Sequence, residues 1–167
     1  MDKIVAAMLL IIVAIAATIA ATQLMNKQWV NVSRVFQIDA SDSYITLDQA
    51  GTANIRIILR NTGTVIAYVK SIVIVSQSIE VSFANSQAQI AFWNLGKTFT
   101  GNASFSNPDK VKIGSAWLTL PPGESAYLTF VATGVGGVMS VGDTYIATIY
   151  SYSEGEVLKF RLVVQSD

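Results

Sequence analysis

The chain has 167 residues, of which 51% are apolar and only 13% charged, with 11 basic and 11 acidic side chains in balance. There is no basic run able to neutralise a row of phosphates, so nucleic acid is not expected as a partner, and a near-neutral surface favours association between copies. Cysteine and histidine are both absent, which removes disulfides, Cys- or His-ligated metals, thiol nucleophiles and any triad with a histidine base.

Taken in chain order, the first element is the uncharged run from Ile4 to Thr22, IVAAMLLIIVAIAATIAAT, which contains neither Pro nor Gly. About 19 residues at a rise of ~1.5 Å give roughly 28 Å, close to the hydrocarbon thickness of a bilayer. The run is apolar on every side, as in a buried helix, and it exceeds the roughly 7–15 residues of a secretory signal core. A membrane anchor and a helix that leaves the bilayer for the core of a polymer fit it equally. Before the run, Asp2 offsets Lys3, whereas Lys27 and Arg34 follow it. The positive-inside balance therefore leans the wrong way for an external C-terminal domain. A basic leader removed ahead of residue 1 would account for this. Small residues recur at helical spacing, and small residues four apart let helices approach closely. The expected packing positions are Ala6, Ala7, Leu10, Ala14, Ala17 and Ala21. A continuous helix is expected to Trp29 and as far as Phe36. Between Met25 and Arg34 it turns amphipathic, with Trp29 placed either as an interfacial anchor or beneath the following domain.

After about Ala40 the apolar period changes from helical to two-residue, the mark of half-buried strands. Asn54–Arg60 sets Ile55, Ile57 and Leu59 against Arg56 and Arg60. Ser125–Phe130 sets Ala126, Leu128 and Phe130 against Tyr127 and Thr129. Val157–Val164 sets Leu158, Phe160, Leu162 and Val164 against Lys159 and Arg161. Val65–Val75 reads as a central or bent strand. Tyr145–Tyr152 reads as the hairpin partner of Val157–Val164, with Gly155 supplying positive φ in the turn. Further strands are expected at Tyr44–Leu47, Ile79–Phe83, Ala88–Trp93 and Lys110–Leu120, punctuated by Asn61-Thr62-Gly63, Asn107-Pro108-Asp109, Pro121-Pro122-Gly123 and Gly134–Gly137. Many short strands with regular turns indicate an immunoglobulin-like antiparallel β-sandwich. The expected fold class is thus α+β, with a long hydrophobic helix over residues 1–36 and a β-sandwich head over 37–167.

These pieces together resemble archaeal type IV pilins and archaellins. The resemblance rests on IVAAMLLIIVAIAATIAA near the start, LRNTGTVIAYVKSIVI at Leu59–Ile74, LPPGESAYLTF at Leu120–Phe130 and VGDTYIATIYSYSEGEVLKFRLVV at Val141–Val164. It spans nearly the whole chain, and its specific part is the order of apolar helix before β-head. Bacterial pilins carry a glutamate near the fifth mature position; here that position is Val5, as is common in archaeal relatives. The resemblance implies a structural subunit of an extracellular adhesive filament. Its partners would be identical subunits in a helical homopolymer, the membrane before assembly, the pilus assembly machinery and a prepilin peptidase. The alternatives are an archaellin of a motility filament and a membrane-anchored β-sandwich binding module.

Motifs that could carry catalytic chemistry are incomplete along the chain. Gly134-Val135-Gly136-Gly137 lacks both the dinucleotide fingerprint and the Lys-Ser/Thr of a phosphate loop. Asp39, Ser41, Asp42 and Ser43 lack the spacing and closing glutamate of an EF-hand. Glu154 and Glu156 flank a turn, not the cleft that a glycosidase pair requires. No catalytic, cofactor or metal residues are therefore expected. Two N-glycosylation sequons occur, Asn31-Val32-Ser33 at the junction and Asn102-Ala103-Ser104, the latter within a stretch, Gly101–Asn107, that reads as an exposed loop.

Overall fold

Alternation along the sequence becomes alternation of burial in the folded chain. The computed structural model describes residues 8, 13–23, 35–152 and 155–167, with only the backbone of Glu156. The chain divides into two units, Met1–Val35 and Phe36–Asp167. In the first, Met8 and residues 13–23 are helical. Among the described residues no helix is long and apolar enough to cross a membrane.

The described residues of the second unit form twelve strands. They are β1 (Ile38–Asp39), β2 (Tyr44–Leu47), β3 (Ala53–Asn61), β4 (Ala67–Ile74), β5 (Ile79–Ala84), β6 (Gln87–Phe92), β7 (Lys97–Phe105), β8 (Lys112–Ile113), β9 (Leu118–Leu120), β10 (Ser125–Ala132), β11 (Thr144–Ser151) and β12 (Gly155–Ser166). In β3 the apolar set Ile55, Ile57 and Leu59 is buried, while Arg56 and Arg60 face outward. In β10, Ala126, Leu128 and Phe130 are buried and Tyr127 is exposed.

Nine of these strands close on themselves. The hydrogen-bonded path runs β11-β12-β2-β3-β10-β7-β6-β5-β4, and β4 then pairs with β11 through Ile72↔Ile149. Strand β9, with β8 beyond it, is attached to the first half of β4, and β1 pairs with the end of β3. Most pairings are antiparallel; β12 meets β2 in parallel, Val164↔Ile45. The enclosed core includes Ile45, Ile55, Leu59, Ile72, Ile90, Leu128, Phe130, Ile149 and Leu162.

This architecture corrects the expectation of a long helix ahead of an immunoglobulin-like sandwich: the protein is mainly β, a nine-strand barrel with one short α-helix among the described residues. Two-residue periodicity marks half-buried strands but is blind to whether their sheets stay open or join. Here two strands turn the corners. Lys97–Gly101 of β7 pairs with β6, whereas Asn102–Phe105 pairs with β10. Likewise β12 pairs with β11 up to Val163 and with β2 from Val164. At the β7 corner a Cβ on Gly101 would lie 2.4 Å from the ring of Phe130, so only glycine admits that ring.

The helix does not reach Phe36. Residues 35–37 are non-helical, because Phe36 packs against the barrel core and the Gln37 carbonyl accepts hydrogen bonds from the Thr62 and Gly63 amides at 3.0 and 3.1 Å. A backbone committed to those partners cannot continue the helical ladder. The expected helical course through residues 1–7, 9–12 and 24–34, with Trp29, lies outside the described residues.

Candidate functional site

The helical segment carries the most distinctive surface. Every residue of 13–23 is exposed, and Val13, Ile15 and Ile19 retain 60%, 55% and 54% of their accessible surface. Its two hydroxyls are satisfied within the helix: Thr18 Oγ1 donates to the Ala14 carbonyl and Thr22 Oγ1 to the Thr18 carbonyl, each at 2.8 Å. Back-bonding of this kind leaves neither hydroxyl in need of water. At 3.6 residues per turn Ala14, Ala17 and Ala21 share one face. Such a helix presents small apolar groups that no described residue covers, and it is suited to burial in an apolar surrounding. Of the packing residues expected from sequence, Ala14, Ala17 and Ala21 are described and exposed. Ala6, Ala7 and Leu10 lie outside the described residues, as does Asn31.

The barrel satisfies itself. No buried side-chain nitrogen or oxygen among the described residues lacks a hydrogen-bond partner. Asn61 shows how. Buried at the end of β3, it donates from Nδ2 to the Val65 and Leu120 carbonyls, both at 2.8 Å, and its Oδ1 accepts the Gly63 amide at 2.9 Å. Its backbone bonds those of Gly123 and Glu124. It thereby ties the Asn61-Thr62-Gly63 turn to the Pro121-Pro122-Gly123 turn.

Several carboxylates and hydroxyls of the barrel, Asp39 and Ser43 among them, are occupied locally. Asp39 accepts the Ser41 amide at 3.0 Å, and hydrogen bonds from the Ser41 backbone and side chain, aided by Arg60, hold its carboxyl below the ordinary range. Ser43 Oγ accepts the Ile58 amide at 3.0 Å. Asp143 accepts the Tyr145 hydroxyl at 2.6 Å and the Ser140 amide at 2.9 Å, which lowers its carboxyl. Burial first, and then that same bond, push the Tyr145 phenol well above its usual value. These are turn-fixing contacts. Glu154 and the side chain of Glu156 lie outside the described residues, and Gly155 takes φ +72° beside the β11–β12 turn.

Asn102 is not in a loop: it stands exposed in β7, two residues before the exposed Ser104. The register sets Asn102 opposite Thr129, Thr129 opposite Arg56 and Arg56 opposite Tyr44. These four side chains thus form one row across the outer face of the barrel. A cleft of about 210 Å³ opens on this face, lined by Tyr44, Thr46, Asn54, Arg56, Thr129 and Asp167. Sequence reasoning placed Arg56 and Thr129 on outward faces but had no means of joining them, since register between distant strands is invisible to alternation. A second outer cluster joins Tyr68, Trp117 and Tyr152, with ring centroids 6.5 and 5.3 Å apart.

The chain matches no protein-family model, and no curated protein is significantly similar to it.

Proposed function

We propose that the chain is a structural subunit of an extracellular filament of the archaeal type IV pilus kind, used for surface adhesion. Copies polymerise by packing their N-terminal helices together, and the barrels face the environment. The carrying observation is the helix of residues 13–23, exposed throughout and apolar but for Thr18, Thr22 and Gln23, in a chain whose barrel has a filled core of its own. Burying such a helix among identical helices removes its apolar surface from water, and alanines spaced as Ala14, Ala17 and Ala21 allow close approach. In this reading the helix resides in the membrane before assembly, a prepilin peptidase processes the precursor, and the assembly machinery extracts it. The barrel takes the place of the sandwich that the resemblance implied, so the head is the part that departs from the family pattern.

Negative-stain microscopy of material sheared from cells tests this. Filaments that disappear when the gene is deleted are expected; detergent-soluble monomers alone would favour a membrane-anchored binding module. Loss of swimming on deletion would identify a motility filament instead of an adhesive one.

A further inference from the structure

The outer-face row carries a second inference. Among the described residues the side chains of Thr46, Asn54, Arg56 and Thr129 make no hydrogen bond, and Arg56 makes no ion pair; its guanidinium lies 5.5 Å from the centroid of the Tyr44 ring. A concave patch with uncommitted planar donors and acceptors beside an aromatic ring is the composition that holds a polyhydroxylated ligand: forked groups pair with adjacent hydroxyls, while the ring covers an apolar face. The same row ends in an acceptor sequon. Asn102 is one strand from Thr129 and two from Arg56, about 5 and about 10 Å at the usual strand spacing. Tyr127, exposed and opposite Ser104, flanks the row on its other side.

We propose that Asn102 is N-glycosylated and that its own glycan lies back across the barrel, with a sugar ring seated in the Tyr44–Asn54–Arg56–Thr129 cleft. Attachment joins the Asn102 side-chain nitrogen to the anomeric carbon of a phosphate-activated sugar. The carbon–oxygen bond to phosphate breaks, the phosphate carrier leaves with that electron pair, and the amide proton passes to a base of the transferase. Asn102 also borders a cleft of about 430 Å³ on its other side. That cleft sets Ser86, Gln87 and Lys112 among apolar walls of Ala88, Ala103, Phe105, Val111 and Ile113, and it has neither the arginine fork nor the tyrosine ring of the first. The docked glycan covers polar side chains that otherwise face solvent, and it makes the outer face of the head a carbohydrate surface.

The test uses the full chain purified from its own cells, as wild type, Asn102→Gln and Ser104→Ala, with glycopeptide mass spectrometry and hydroxyl-radical footprinting. Expected are a glycan mass on the peptide carrying Asn102 and protection of Tyr44 that is lost severalfold in both variants. Ser104→Ala removes the sequon while keeping Asn102, so it controls for any folding defect of the first variant. Arg56→Ala should retain the glycan mass yet lose the protection of Tyr44. An unmodified Asn102, a modified Asn102 with Tyr44 equally reactive in all forms, or protection of Phe105 in place of Tyr44 would each overturn the proposal. So would protection of Tyr44 in Ser104→Ala by added free monosaccharide with none in the glycosylated wild type, since the cleft would then serve foreign sugars.

Discussion

Asn61 holds two turns that are distant in sequence, and it does so through bonds that no other residue type reproduces. Its Nδ2 donates twice and its Oδ1 accepts once, all in a buried site. Asn61→Ala deletes these bonds and leaves the Leu120 carbonyl without that donor, a change worth about 2–4 kcal/mol of stability; chemical denaturation of the full chain in detergent measures it. Asn61→Asp, which cannot donate from that position, should lose a comparable amount, and a loss near zero in both would show the tie to be unimportant. Asp143 makes a prediction in pH. Its folded carboxyl lies below its unfolded value, so its contribution is present above about pH 3.9 and is lost as pH falls through the lowered folded value. Asp143→Asn should therefore flatten the acid limb of the stability profile. Tyr145 acts in the opposite sense: its raised value makes its contribution complete below about pH 10 and lost above that. In the sequence Asn61 is legible as a turn residue. That its amide closes a second turn is not, because the partner carbonyl belongs to a residue whose position only the fold supplies.

At the scale of elements, most strands were legible. Tyr44–Leu47 appears as β2, Asn54–Arg60 lies within β3, Ile79–Phe83 within β5, and Val157–Val164 within β12. Lys110–Leu120, read as one strand, is instead β8 and β9, with Gly114 accepting from the Ser86 amide between them. Strand β7 was missed. Gly101–Asn107 reads as an exposed loop, although Thr98–Phe105 alternates exposed and half-buried side chains without a break. That corner makes a sharp prediction. Gly101→Ala places a methyl against the Phe130 ring and should cost about 1–3 kcal/mol through overpacking. Gly137→Ala, at an exposed position with open space around its Cβ site, should be near neutral. Thermal unfolding of the two variants against wild type decides it, and equal melting temperatures would contradict the account of the corner. The barrel itself was not legible, because closure depends on which strands change partners and not on how their side chains alternate.

For the whole molecule the proposal joins two self-consistent parts: a barrel that satisfies its own buried polar groups and a helix that needs apolar company. The apolar character of the helix was plain in the run from Ile4 to Thr22; what would surround it in the proposed filament is other copies, which leave no mark in one chain. The absence of cysteine allows a direct measurement. Ala16→Cys and Ala21→Cys, introduced together, lie on different sides of the helix, and material collected from the cell surface can then be treated with a short bismaleimide. Helices sheltered by sister helices should yield a denaturant-resistant ladder of dimers, trimers and longer species. A chain that remains monomeric under the same treatment, with both thiols shown to be reactive, would contradict polymerisation through this helix.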